Sequence, residues 1–80
     1  MQLADAIARV RRIGERRTEK AQAYLAAASE YEARALSADE VLTSAQREFL
    51  TQLGVSAQNN AKVMADDAEA LLLVLEKVAA

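Results

Sequence analysis

A stripe of small and apolar residues, spaced alternately four and three apart, runs along most of this chain and restricts it to packed helices. This 3.5-residue repeat keeps one side of an α-helix facing a neighbour, as in a coiled coil. The chain has no proline and only two glycines, so residues that break helices are scarce. The sequence therefore predicts an all-α protein with heptad packing. The stripe comprises Leu3, Ile7, Val10, Gly14, Ala21, Tyr24, Ala28, Tyr31, Ala35, Ala38, Leu42, Ala45 and Phe49, with Arg17 as its polar exception.

Two local signals divide this stripe into segments. Gly54 suits the left-handed position after a helix end and Ser56 suits an N-cap, so we predict a turn at 54–56. Residues 37–40 read S-x-x-E, the form of a capping box, which predicts a kink or short non-helical joint near 36–39, or else a continuous helix. The prediction is a single domain, 1–80, with helices at about 2–36, 38–53 and 57–79. After the turn the stripe continues as Ala57, Ala61, Met64, Ala68, Leu71, Leu75 and Val78.

A turn at 54–56 predicts an antiparallel hairpin with a long first arm. If the first arm is one continuous helix, the returning helix would cover only about residues 31–53, because it is much shorter. The basic first 25–30 residues would then overhang the hairpin and leave their apolar side chains without cover. Further apolar residues lie off the stripe and widen it, which predicts more than one neighbour for the first helix. These are Ile13, Leu25, Leu36, Val41, Leu50 and Leu53.

Residues 71–75 are five consecutive large apolar residues on the last predicted helix. At 100° per residue they occupy every side of a helix, and one antiparallel neighbour covers only one stripe. Leu71 and Leu75 belong to the internal stripe, whereas Leu72, Leu73 and Val74 require another molecule. Together with the overhanging arm, this run predicts a subunit interface. Its candidate residues are Leu3, Ile7, Val10, Ile13, Leu71, Leu72, Leu73, Val74, Leu75 and Val78.

The composition also points to association. A chain of 80 residues has little interior, and such chains are often stabilised by disulfides, metals or oligomerisation. Cysteine and histidine are both absent, which excludes disulfides and the usual zinc ligands. Alanine supplies 19 of the apolar residues, and alanine favours helix while burying little area. The expected partner is therefore another copy of the chain or a helical protein.

The charge is uneven along the chain. Residues 1–20 carry six basic and three acidic groups, giving +3, and residues 21–80 carry four basic and nine acidic groups, giving −5. This pattern fits either a solvated helix face or an electrostatic guide for contact between subunits. Nucleic acid is not an expected partner, because the overall balance is acidic and no aromatic residue lies among the arginines. No segment has the length of a membrane span, and the N-terminus does not resemble a cleaved signal peptide.

The sequence offers little for catalysis. The carboxylate pairs Glu30/Glu32, Asp39/Glu40 and Asp66/Asp67 are one or two residues apart, so a helix would spread each pair around its surface. No phosphate-binding loop or calcium-binding pattern is present. We therefore expect a protein that is not an enzyme and that has no catalytic residues, cofactor, metal or small-molecule substrate. The polar residues 56–60 suit either a solvated first helical turn or a polar contact between subunits.

Three local patterns in the second half resemble the small helical-hairpin subunits of type III secretion needles. Residues 37–42 resemble that family's Ser/Asp-rich turn followed by an apolar pair. Gln46 with Phe49 and Leu50 resembles its next helix, and residues 57–64, Ala-Gln-Asn-Asn-Ala-Lys-Val-Met, resemble its Ala-Gln-Ser-Asn segment and the start of its apolar C-terminal helix. Inner-rod subunits share this C-terminal pattern. The family's turn usually carries prolines, and its helix continues where Gly54 lies in this chain.

The resemblance implies a bacterial subunit that leaves the cytoplasm without a cleaved signal and polymerises into a helical tube. In that family the apolar C-terminal helix packs between subunits, a role that would fall to Leu71, Leu72, Leu75 and Val78. A fainter resemblance, through Gly54, links the chain to secreted two-helix proteins with a Trp-x-Gly turn. The alternative function is a small cytosolic secretion chaperone or adaptor that holds a partner's amphipathic helix in a groove.

Overall fold

Two long antiparallel helices form the whole architecture of the described chain. The computed structural model describes residues 1–39 and 41–79, with α1 at Leu3–Leu36 and α2 at Ser44–Ala79. The two helices pack along their length into a rod of 57 × 16 × 14 Å. The prediction of an all-α antiparallel hairpin with a long first helix is confirmed.

The core is a seam of small residues repeating every seven positions. In α1 it consists of Gly14, Ala21, Ala28 and Ala35, all of which are buried. No large side chain among the described residues is fully enclosed, and the two buried leucines, Leu50 and Leu75, lie towards opposite ends of the seam. Side chains this small let two helices approach to the short end of the usual 8–10 Å range. The buried positions of α2 are Leu50, Gly54, Ala57, Ala61, Ala68 and Leu75.

The loop between the helices has a defined hydrogen-bond pattern. The extended backbone of Ser37 ends α1, and its N–H donates to the carbonyl of Arg34 at 3.2 Å. The hydroxyl of Ser37 then accepts the N–H of Asp39 at 3.2 Å. At the far side, the N–H of Thr43 donates to the Gln46 side chain at 2.8 Å, and the N–H of Gln46 donates to the Thr43 hydroxyl at 3.1 Å. This reciprocal pair is a capping box, and it starts α2.

The structure moves the predicted joint and its capping box. The first helix ends at Leu36 and a non-helical joint follows, both as predicted, but the joint is the hairpin loop itself. The next helix begins at Ser44 rather than near residue 38, because Thr43 and Gln46 cap it. Glu40, the last member of the predicted box, lies outside the described residues. The stripe from residue 38 to Phe49 therefore does not continue the first helix, and the seam resumes at Leu50.

The predicted turn at 54–56 is wrong. The helix α2 passes through Gly54 without a break, and no described glycine has a positive φ angle. Gly54 is buried in the seam, where a Cβ atom would lie 3.6 Å from the carbonyl oxygen of Ala28 and 3.8 Å from Cβ of Tyr31. The residue faces α1 across the seam at ordinary van der Waals distance and does not change the direction of the chain. Residues 56–60 consequently lie inside α2, not in its first turn.

The predicted overhang of the first arm is also wrong, because the two helices are nearly equal in length. Near the open end, a Cβ atom at Gly14 would lie 3.5 Å from Cδ2 of Leu72. Near the loop, Arg47 reaches the carbonyl oxygen of Ala35. The N-terminal part of α1 is therefore packed against the C-terminal part of α2 of the same chain. It does not form the unpaired arm that the predicted turn implied.

Candidate functional site: two apolar faces of the hairpin

The seam divides the outside of the rod into two broad faces. We call one the tyrosine face, since Tyr31 on α1 and Leu53 on α2 line a shared concavity there, as do Ile13 and Met64 further along the rod. Residues seven apart share a face of each helix, which adds Val10, Tyr24, Leu71 and Val74. The tyrosine face therefore comprises Val10, Ile13, Tyr24, Tyr31, Phe49, Leu53, Met64, Leu71 and Val74.

Near the loop, the tyrosine face carries a concavity of about 290 Å³. Tyr31 and Leu53 are half-buried beside it, whereas Phe49 is 60% exposed. A phenylalanine ring that is 60% exposed leaves a substantial apolar surface in contact with water. The other residues that line this concavity are Arg34, Leu42, Gln46 and Leu50.

The middle of the tyrosine face is polar and basic. One guanidinium nitrogen of Arg17 lies 3.0 Å from Oδ2 of Asp67 and 3.6 Å from the sulfur of Met64. Arg16 and Lys20 flank the same concavity. The stripe's polar exception, Arg17, thus joins the basic part of α1 to the acidic part of α2. Because this ion pair lies within one chain, part of the charge asymmetry serves contact between the two helices.

The opposite side of the rod, the leucine face, carries two apolar grooves and, at its open end, a third concavity of about 460 Å³ that is lined by Arg11, Leu72 and Glu76 among others. The larger, of about 500 Å³, lies between Leu25 of α1 and Ala65, Leu72 and Leu73 of α2. The second groove, of about 260 Å³, lies nearer the loop between Leu36 and Val55. The charged residues that line these two grooves are all acidic: Glu32, Glu69 and Glu76. The leucine face is defined by Leu25, Leu36, Val55, Ala65, Leu72 and Leu73.

The burial of the 71–75 run follows the division expected from its phase. Leu75 is 6% exposed and Leu71 is half-buried, whereas Leu73 and Val74 are 54% and 60% exposed. Leu72 is intermediate in role: it is 40% exposed, but its side chain also covers Gly14. The run is thus split between the seam and both faces. Val78 is 52% exposed, so the stripe ends before it.

The remaining predicted interface residues lie at the open end of α1. Leu3 is 66% exposed, and Ile7, Val10 and Ile13 are half-buried rather than free. Ile13 shares a concavity with Met64 of α2. Only Leu3 retains most of its surface.

Several exposed apolar side chains were not among the predicted interface residues. The heptad phase of α1, continued across the loop, places Phe49 in the internal stripe, whereas the structure leaves it exposed. Val55 and Val63, which lie off the predicted stripe, are 52% and 54% exposed. One sequence pattern does indicate a second apolar face: Leu25 and Leu36 lie off the stripe of α1, and both line the leucine face.

The acidic residues of the described chain are distributed along the helices and the loop. Asp67 is bound to Arg17, and Asp66 lies 3.9 Å from Lys62 one helical turn earlier. Glu30 and Glu32 are exposed. Over residues 1–39 and 41–79, no three acidic side chains converge as metal ligands. Within the same residues, neither helix has a stretch apolar and long enough to cross a bilayer.

No family model, curated protein or solved structure matches this chain.

Proposed function

We propose that this protein is a non-enzymatic structural subunit that assembles with copies of itself through helix packing. The observation that carries the proposal is the mismatch between its core and its surface. The core consists mainly of glycine and alanine, while Phe49, Leu73 and Val74 are more than half exposed. Alanine buries little area, so further burial of these side chains would supply stabilisation that the hairpin alone lacks.

The surface area leads to the same conclusion. The chain exposes 6056 Å². A compact monomer of 8.7 kDa would expose about 4,700 Å², so the rod has about 1,300 Å² more than a globular protein of its mass. A standard protein interface removes about 800 Å² from each partner. One interface of ordinary size would therefore remove most of this excess.

The finer proposal is that the assembly is a protein-secretion needle or rod. It depends on the resemblance of residues 37–64 to type III needle subunits. The hairpin loop, residues 37–43, overlaps the segment that resembles the family's turn. The helix α2 continues through Gly54, as the family's helix does at the corresponding place. These features support the proposal, which otherwise depends on the three short sequence patterns.

The direct test is the size of the purified chain in solution. Multi-angle light scattering over a wide range of concentration should show growing oligomers, and negative-stain electron microscopy should show filaments. A chain that stays monomeric at the highest soluble concentration would contradict self-assembly. Monomers that bind a partner's amphipathic helix in the groove beside Leu25 would instead favour the chaperone or adaptor function.

A further inference from the structure

We infer that copies of this chain stack front to back, with the tyrosine face of one docked on the leucine face of the next and the rods pointing in the same direction. This inference rests on the proposed function and names the two surfaces that assembly uses. Because the two surfaces differ, the contact is heterologous. However many copies are stacked, a tyrosine face is exposed at one end of the stack and a leucine face at the other. Further copies can therefore add, and growth does not stop at a dimer.

Charge complementarity identifies a second copy as the occupant. The concavities of the tyrosine face are bordered by four basic residues, Arg16, Arg17, Lys20 and Arg34. Within the chain, Arg17 is bound to Asp67. The two grooves of the leucine face are bordered by three acidic residues, and one basic residue, Arg11, lines a third concavity beside Glu76 at the open end. Stacking unlike faces brings these charges together, whereas pairing two leucine faces would place acid against acid.

The spacing of these charges sets the direction of stacking. Arg34 and Glu32 are two residues apart on α1, which is about 3 Å along the helix axis. Arg17 is bound to Asp67, and Glu69 lies two residues beyond Asp67 on α2, also about 3 Å towards the open end. A single axial shift of about 3 Å between parallel copies therefore brings both basic residues close to an acidic residue of the next copy. It places Arg34 near Glu32 of the next copy and the Arg17 region near its Glu69.

The apolar side chains match in the same register. At the loop end, Tyr31 and Phe49 project from one face and Leu36 and Val55 line the groove on the other. At the open end, Val74 lies on the tyrosine face at nearly the same level as Leu73 on the leucine face. Stacking in parallel therefore places apolar residues on apolar residues at both ends, with the charged pairs between or beside them.

The composition of the tyrosine face is that of a docking surface. It carries all three aromatic residues of the chain, Tyr24, Tyr31 and Phe49. Aromatic residues, methionine and arginine are enriched at interface cores, and Met64 and Arg17 lie together on this face. The two tyrosines are already half-buried by the hairpin, which reduces the entropy lost when they dock. A rod side of 57 × 16 Å offers about 900 Å², close to the area that a stable interface takes from each partner.

The test uses two neighbouring residues as a matched pair. Val74→Glu places a carboxylate on the tyrosine face, and Leu73→Glu places one on the leucine face, at similar exposure. Each variant alone should lose assembly, with its dissociation constant raised at least about tenfold, because every contact needs both faces. Mixed together, they should form a one-to-one dimer that does not grow, because each supplies the face that the other has lost. Light scattering coupled to size-exclusion chromatography measures both results.

Several outcomes would overturn the inference. A Leu73→Glu variant that dimerises by itself would show a two-fold contact through the tyrosine face. A mixture that stays monomeric, or variants that assemble like the wild type, would show that these faces are not the contact. If the wild type itself stays monomeric, the proposed function fails as well, so the two failures are distinguishable. Phe49→Glu and Leu25→Glu form a second pair, for use if circular dichroism shows that either first variant is unfolded.

Discussion

The guanidinium group of Arg47, in the first turns of α2, lies 2.8 Å from the carbonyl oxygen of Ala35 in the last turn of α1. The same nitrogen donates to the carbonyl of Ser37 at 2.9 Å. Carbonyl groups at a helix C-terminus have no partners within the helix and carry partial negative charge. One side chain thus satisfies the end of the first helix from the start of the second, and holds the loop closed.

We expect Arg47→Met to lower the free energy of unfolding by about 1–2 kcal/mol, since a charged hydrogen bond to part-buried carbonyls is lost. Urea titration followed by circular dichroism measures this change. All variants should be compared at one protein concentration, because self-association raises apparent stability. Arg47→Lys is the control. It keeps the positive charge but not the planar guanidinium group, so it should lower the free energy of unfolding by less. An Arg47→Met chain that unfolds at the wild-type urea concentration would contradict this role.

The cap of α2 gives a second prediction. Thr43→Ala removes the hydroxyl that accepts the Gln46 N–H, and it should cost about 1 kcal/mol of unfolding free energy. Thr43→Ser keeps the hydroxyl and should stay near the wild type. Ser37→Ala loses only the bond from the Asp39 N–H within the loop, so its effect should be smaller. A larger loss for Ser37→Ala than for Thr43→Ala would favour a helix that begins near residue 38.

The third prediction concerns Gly54. A Cβ atom there would meet its nearest neighbours at 3.6 Å or more, which is ordinary van der Waals contact. Gly54→Ala should therefore stabilise the protein by about 0.5–1 kcal/mol, because alanine favours helix and glycine does not. Thermal unfolding followed by circular dichroism measures the gain, and Gly14→Ala should change stability in the same direction. If Gly54→Ala instead lowered the stability, the helices would be too close at this position to accept a methyl group, which would contradict the prediction.

The error at Gly54 shows where sequence reasoning reached its limit. Gly54 occurs before a plausible N-cap, Ser56, and this local pattern predicts a turn. The competing explanation, a glycine buried in the seam of a continuous helix, depends on Ala28 and Tyr31 lying opposite, which a single sequence does not reveal. The predicted overhang followed from that one error, because a turn at 54–56 makes the arms unequal.

Other parts of the fold were predictable because they depend on local periodicity. The stripe from Gly14 to Ala35 forms the α1 side of the seam, and the stripe from Ala57 to Leu75 forms most of the α2 side. The division of the 71–75 run also follows from phase alone. The assignment of Phe49 failed because the phase was carried through a loop. The loop between Leu36 and Ser44 resets the register, so the seam of α2 resumes at Leu50.

A fourth prediction tests the ion pair that links the two helices. Arg17 and Asp67 have side chains that are 38% and 49% exposed, so water and salt screen them substantially. A double-mutant cycle with Arg17→Met and Asp67→Asn should give a coupling energy of about 0.2–1 kcal/mol that decreases as salt is added. Urea unfolding of the four proteins at low and high salt measures it. A coupling that does not change with salt would contradict a screened ion pair.

The last prediction tests the closeness of the seam. Ala61 is 3% exposed between the helices, whereas Ala65, one turn later, borders the leucine groove and is exposed. Ala61→Leu should destabilise the hairpin by about 1–3 kcal/mol, because the added carbons must push the helices apart. Ala65→Leu adds the same volume on the outside and should leave the unfolding free energy of the monomer nearly unchanged. Urea unfolding of both variants in the Val74→Glu background, which is expected to stay monomeric, separates packing within the hairpin from assembly. Equal stability of the two variants would mean that the helices have room between them and that small residues are not required at the seam.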